Sequence, residues 1–172
     1  MDKKVILIPT IKDDDNGYDK ILKIASMVFE NPKQHFDFDF SQCAKIEHNS
    51  VVLLGALARY VDYHNTKSDR IVSSLLNTKL FSSSGVMFLV KTMSSVVSAR
   101  LLENNFLSYF SSGGGGGYVA NDYIGYREHN NLLDADKIAD HLQDQWLSTD
   151  KLSLSSELKS AIVSKIFEIF MN

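Results

Sequence analysis

Several residue types that mark particular protein classes are scarce in this chain of 172 residues. Cys43 is the one cysteine, which excludes an intramolecular disulfide and fits a reducing interior. Eighteen Lys and Arg against 21 Asp and Glu leave a net charge of -3, so there is no basic excess of the kind that general nucleic-acid binding requires. The apolar run 51–58 is far shorter than the ~20 residues of a membrane span, and the N-terminus has no signal-peptide pattern. We therefore expect a cytoplasmic protein without membrane or nucleic-acid partners.

Apolar runs and helical faces alternate along the first part of the chain. The predicted elements are a strand at 5–8, a helix at 18–30, a strand at 36–40, helices at 51–64 and 67–80, a strand at 86–90 and a helix at 96–105. Such alternation predicts an α/β fold with a mostly parallel sheet and packed helices. The uniformly apolar run at 5–8 further predicts a strand that is covered on both faces.

Two of these elements have finer features. Phe36, Phe38 and Phe40 alternate with Asp37 and Asp39, which indicates a solvated acidic strand face more strongly than a metal site. In the next helix, Ser50 is placed to act as the N-cap. The residues after it are apolar nearly all round, so we expect this helix to be well buried.

A glycine-rich segment divides the chain. Five glycines at 113–117 indicate a mobile loop, either native or a replacement, and match neither a P-loop nor a dinucleotide fingerprint. We expect an α/β domain at residues 1–110, a connector at 111–134 and a helical segment at 135–172. In the last of these, Ala135, Ile138, Ala139, Leu142 and Trp146 mark one amphipathic helix, and Ser155 can cap another.

The stretch 38–60 resembles the strand-to-helix core of a STAS domain of the anti-anti-sigma-factor type. That family places an Asp-Ser-Ser-Gly loop between the strand and the helix, and here the loop positions hold Glu47, His48, Asn49 and Ser50. The resemblance implies a regulatory loop at these four residues. It places the serine that the family phosphorylates at Asn49, which cannot accept a phosphoryl group. The segment 67–84 is then an insertion.

The C-terminal stretch 157–172 resembles the helix that opens a GHKL (histidine-kinase-like) ATPase domain. The N box of that family carries a Glu and, four residues later, an Asn, which here are Glu168 and Asn172. The resemblance implies that Glu168 is a general base and that Asn172 binds magnesium-nucleotide in a complete GHKL domain. Ser160 and Ser164 continue the same polar seam, and an ordinary amphipathic helix would show the same pattern.

The chain lacks the D-x-G-x-G motif of a GHKL nucleotide site, so we expect no cofactor here and ATP with magnesium only in a longer protein. The leading hypothesis is a regulatory and interaction module that controls a linked or separate GHKL ATPase domain. The alternatives are a partial ATPase or kinase, completed by missing sequence or by a partner, and a stand-alone α/β scaffold. A Cys43–His48 nucleophile pair is a weaker enzyme hypothesis, because a lone cysteine after a strand is usually a small buried hydrophobe. The apolar side of the C-terminal helix, with Ile162, Ile166, Ile169 and Phe170, is expected to dock on the α/β domain or to form a homodimer.

Overall fold

The computed structural model describes residues 3–31, 33–76, 85–110, 125–128, 135–147 and 153–171, and it omits the side chains of residues 66–76, 135 and 169–171. The chain forms two compact units, Met1–Tyr118 and Val119–Asn172. Their boundary lies within the segment that the sequence predicts as a connector. The five glycines, Asn172 and the predicted end of the helix at 67–80 lie outside the described residues. Among the helices of the described part, none is long and apolar enough to cross a membrane.

Three parallel strands form the sheet of the first unit, in the order β1 (Lys3–Leu7), β2 (His35–Asp39) and β3 (Val86–Leu89). Ile6 lies beside Phe38, which lies beside Phe88. The α/β fold and the adjacency of the three predicted strands are therefore confirmed.

Helices cover one face of this sheet. Ile6, Phe36, Phe38, Val86 and Phe88 point to that face and are buried. Within the described residues the opposite face is open, since Val5 and Leu7 on β1 are 56% and 48% exposed. The prediction that this strand is covered on both faces is thus wrong for the described structure. A uniformly apolar run carries no signal about which of its two faces is buried.

Helix α1 (Asp15–Phe29) begins earlier than predicted, because Asp14 acts as its N-cap. The Asp14 carboxylate accepts a hydrogen bond of 2.7 Å from the amide of Gly17. A Cβ at Gly17 would collide with the carbonyl of Lys12, so the turn requires glycine. Ile21, Ile24 and Val28 form its buried face, whereas Leu22 and Phe29 are exposed.

Helix α2 (His48–Leu76) is one continuous helix where the sequence predicts two. No proline or glycine interrupts it between residues 64 and 67. It is not buried all round, since Val52, Leu53 and Tyr63 are 41%, 40% and 56% exposed. It packs beside α1, and the rings of Phe29 and Tyr60 meet edge to face at 4.9 Å. The two helices therefore lie on the same side of the sheet.

A short 3-10 turn (Val90–Thr92) leads from β3 to α3 (Ser95–Glu103), which Ser94 caps. The helix ends at Asn104 and Asn105, as predicted, and Asn105 adopts a left-handed conformation with φ 66°. The following helix, α4 (Phe106–Phe110), returns to the core. Its Phe106 ring lies 5.1 Å from that of Phe88, on the covered face of the sheet.

The second unit contains α5 (Ala135–His141), which continues into a π-helical turn (Leu142–Trp146), and α6 (Ser156–Met171). Ser155 caps α6 as predicted, because its hydroxyl accepts a hydrogen bond of 3.3 Å from the amide of Leu158. Leu142, Leu147 and Val163 form the core of this unit, with Ile162 and Ile166 packed against it. Ile162 and Ile166 on the apolar face of α6 therefore pack on the preceding helical segment. The side chains of Ile169 and Phe170, which the sequence assigns to the same face, lie outside the described residues. Trp146 is 38% exposed and lies outside this core.

Candidate functional site

The connections that follow β1 and β2 meet at the carboxyl ends of the strands. The amide of Ile11 donates to the carbonyl of Lys45 at 3.1 Å, and the amide of Glu47 donates to the carbonyl of Ile11 at 3.2 Å. The Thr10 hydroxyl also accepts a hydrogen bond of 2.8 Å from the amide of Ala44. This edge is where parallel α/β sheets bind ligands and partners. The hydrogen bonds between the two connections hold the start of α2 in a fixed position.

Glu47 is the first of the four residues at the predicted regulatory loop, and it is the last residue before α2. Its carboxylate accepts hydrogen bonds of 2.6 Å from the Lys45 ammonium and from the backbone amide of Asp13. These two contacts, the Lys45 bond first, lower the pKa of Glu47 below its ordinary value. Glu47 is therefore an ionised group that joins the two connections.

His48 opens α2 and is half-buried. Burial lowers its pKa below the ordinary 6.5, and the positive charge of Arg100 lowers it further. The carboxylate of Asp13 acts in the opposite direction with a smaller effect. The imidazole is therefore neutral at pH 7.

Asn49 and Ser50 face different surroundings in the first turn of α2. Asn49 is exposed, and its side-chain amide donates a hydrogen bond of 3.1 Å to the hydroxyl of Tyr18. Ser50 is fully buried, and its hydroxyl has no hydrogen-bond partner among the residues that the structure describes. The prediction that Ser50 caps the helix is wrong, because the helix begins at His48 and Ser50 lies inside its first turn.

An outward stripe on α2 begins at Asn49. Val52, Leu53 and Ala56 follow it at helical spacing and are exposed. Tyr63 continues the same side of the helix and is 56% exposed. We call these residues the α2 stripe. It places apolar side chains next to the exposed residue of the regulatory loop.

Hydrogen bonds that the sequence did not predict join the carboxyl ends of β2 and β3. The Thr92 hydroxyl accepts from the amide of Phe40 and donates to the carbonyl of Leu89, both at 2.8 Å. The Asp39 carboxylate accepts from the amide of Ser41 at 2.8 Å, and hydrogen bonds from Ser41, then from Thr92, lower its pKa. The threonine in the short turn after β3 was the available signal, but its partner at the end of β2 can be identified only once the strand order is known.

Cys43 is a buried thiol in the connection after β2 and is 3% exposed. Its Sγ donates to the carbonyl of Lys45 at 3.5 Å, and burial raises its pKa to about 11. A neutral thiol is a poor nucleophile, so these properties favour the packing role over the nucleophile hypothesis.

The predicted N-box residues belong to the second unit. Glu168 is exposed on α6, and its carboxylate forms an ion pair of 2.7 Å with Lys165. Ser160 and Ser164 are exposed on the same helix, in line with the predicted polar seam, whereas Asn172 lies outside the described residues. Among the side chains that the structure describes, no three acidic, histidine or cysteine groups come together as metal ligands.

Comparison with known protein-family models, with curated proteins and with solved structures finds no match to this chain.

Proposed function

We propose that this chain is a regulatory and interaction module, the STAS-like part of a signalling protein that controls a linked or separate GHKL-type ATPase or kinase. The observation that carries the proposal is the α2 stripe, which continues from exposed Asn49 to Val52 and Leu53. Exposed apolar side chains beside a polar turn are typical of a protein contact surface. The STAS resemblance places the regulatory contact at the same turn.

The state of the loop 47–50 favours a switch that does not use serine phosphorylation. Ser50 is fully buried, and the exposed position next to it is Asn49. A kinase would have to open the first turn of α2 to reach the Ser50 hydroxyl. Control of the partner would instead follow from binding to the surface of α2.

In the longer protein, Glu168 and Asn172 would supply the N box, and ATP with magnesium would bind only when the downstream motifs are present. Magnesium is usually held through the nucleotide phosphates and one or two protein oxygens, so this chain alone should not bind ATP usefully. Calorimetry on residues 1–172 tests this, and micromolar ATP binding would contradict it.

The first experiment is to read the DNA after codon 172. A reading frame that continues into a D-x-G-x-G motif would support a linked ATPase, whereas an immediate stop would favour the stand-alone scaffold. In the extended protein, Glu168→Ala should abolish ATP hydrolysis and spare ATP binding, because a general base acts on the reacting proton. Unchanged turnover would contradict the assignment of Glu168.

The second experiment tests whether the α2 stripe controls the ATPase rate without contributing to ATP binding. Leu53→Asp in the extended protein should change the ATPase rate by disrupting the docked α2 stripe, while the intrinsic ATP affinity stays the same. Val96→Asp is the matched control, because Val96 is also exposed, at 63%, but lies on α3. Equal rates for Leu53→Asp and the unmodified protein would contradict a regulatory role for the stripe.

A further inference from the structure

The open face of the sheet, on the side away from α1 and α2, has an ordered pattern of side chains. Val5 and Leu7 lie along β1, and Met87 and Leu89 lie along β3. Val5, Leu7 and Met87 are 56%, 48% and 48% exposed. Between these rows, β2 places Asp37 and Asp39. Two apolar rows therefore flank one acidic row.

In the acidic row, Asp39 has a lowered pKa. Hydrogen bonds from Ser41 stabilise the ionised form of Asp39. The Lys3 ammonium lies 3.9 Å from the Asp37 carboxylate, at the limit of an ion pair, and more than half of the Lys3 side chain is exposed. Within the described part of the chain, Asp39 forms no ion pair. The centre of this face is therefore available to positive charge from outside.

A cavity of about 230 Å³ lies at the amino end of the sheet and is lined by residues of both faces. Lys3, His35, Asp37 and Met87 line it from the open face, whereas Phe36, Val86 and Phe88 line it from the covered face, with Leu107 and Phe110 of α4. Pockets for drug-sized ligands begin at roughly 300 Å³. This cavity is of a size for one large apolar side chain, which is how anchor residues of protein partners bind.

Physical arguments narrow the choice of occupant. A parallel sheet is usually covered on both faces, and a helix is the element that covers it. A second copy docked by the same face would bring the two acidic rows together, which like-charge repulsion disfavours. A helix with basic residues along its centre would instead pair with Asp37 and Asp39 and lay its apolar residues on the flanking rows.

We infer that the open face binds a basic amphipathic helix of a partner protein, with a large apolar residue of that helix in the cavity between Met87 and Phe110. This site is separate from the α2 stripe, because α2 packs on the other face of the sheet. The inference does not rest on the proposed function.

The test uses the whole chain and a synthetic helical peptide of leucine and lysine, about 18 residues long, or roughly 27 Å as a helix. Two peptides of equal length are the comparisons, one of leucine and glutamate and one of serine and lysine. We expect the leucine–lysine peptide to bind at least tenfold more tightly than either. In a methyl-labelled sample, the Met87 signal should shift on binding, while that of Met27 on α1 should not.

Variants place the binding on this face. Met87→Ser and Asp37→Asn should each weaken the leucine–lysine peptide at least fivefold, whereas Leu22→Ser, at a position 62% exposed on α1, should leave its affinity unchanged. Leu53→Asp on the α2 stripe should also have no effect, which separates this test from that of the proposed function. Equal binding of the leucine–glutamate peptide, an unmoved Met87 signal, or a dimer that Met87→Ser dissociates would overturn the inference.

Discussion

The side-chain amide of Asn65 on α2 packs directly against Gly85, the residue that leads into β3. Asn65 is only 5% exposed, and its amide nitrogen has no hydrogen-bond partner among the described residues. A Cβ at residue 85 would collide with that nitrogen. The carbonyl of Gly85 meanwhile accepts a hydrogen bond of 2.8 Å from the amide of Phe36. The missing side chain at residue 85 thus lets helix and strand approach each other while the sheet stays paired.

Gly85→Ala should therefore destabilise the first unit by about 1–3 kcal/mol, the usual cost of overpacking a core. Asn65→Ala in the same chain should recover part of the loss, because it removes the amide with which the new methyl group collides. Urea unfolding of both single variants and the double variant measures the coupling. Strictly additive free energies would contradict the contact.

Phe88 is the centre of an aromatic cluster. Its ring lies 5.5 Å from Phe38, 5.1 Å from Phe106 and 4.9 Å from Phe110. Phe88→Ala should lower the free energy of unfolding by about 3–5 kcal/mol. Leu102→Ala, at a position 57% exposed on α3, should change it by less than about 0.5 kcal/mol. Similar values for the two variants would mean that the cluster does not contribute to stability.

His48 should make stability depend on pH. Its pKa in the folded chain is below the unfolded value of 6.5, so the unfolded state binds more protons between the two values. This contribution to the free energy of unfolding is complete above pH 6.5 and is lost as the pH falls from that value through the lower pKa of the folded state. The difference in the free energy of unfolding between the natural chain and His48→Gln, measured from pH 7.5 to 5, separates the His48 contribution from that of the carboxylates. A difference that does not change with pH would contradict the shift.

Arg100 should contribute to that shift through its positive charge. In Arg100→Gln, the pKa of His48 should rise but stay below its ordinary value, because burial is the larger cause. Proton NMR titration of the His48 ring in the natural chain and in Arg100→Gln measures this difference in pKa. Lys91→Gln, which removes an exposed cation from another position, serves as the control and should leave the His48 pKa unchanged.

Cys43 should be unreactive while the chain is folded. Burial raises its pKa to about 11, so almost none of it is thiolate at pH 8. A thiol reagent should modify the folded protein slowly and the urea-unfolded protein fast. Because Cys43 is the one cysteine, a single mass shift reports on it alone. Equal rates in the two states would show that the thiol is open to solvent.

The sequence predicted the order of strands and helices because β1 and β3 contain short apolar runs and β2 alternates phenylalanine with aspartate. It did not predict which face of the sheet is covered. Val5 and Leu7 are as apolar as Ile6 and Ile8, but Val5 and Leu7 are exposed and the other two are buried. Burial on a parallel strand depends on where the crossover helices lie, and a uniformly apolar run contains no information about that.

The candidate site was predicted in part. The positions Glu47 to Ser50 were chosen from the STAS resemblance, and the structure places them at the carboxyl edge of the sheet. Their roles were not all predicted, since Ser50 is buried inside the helix and does not cap it. Asp13 and Arg100, which act on Glu47 and His48, are distant in sequence from the loop. They come near it only after the strands have paired, so no local pattern could identify them.

The unbroken course of α2 has a mechanical consequence. With 29 residues and about 1.5 Å of rise per residue, the helix is a rod roughly 43 Å long, of which one end is the turn at His48. No proline or glycine after Gly55 offers a hinge in it. A tilt of about 5° at the first turn would therefore move the far end, near Leu76, by about 4 Å. A small rotation of the first turn, caused by binding beside Asn49, would therefore become a displacement of several ångströms at the far end of α2.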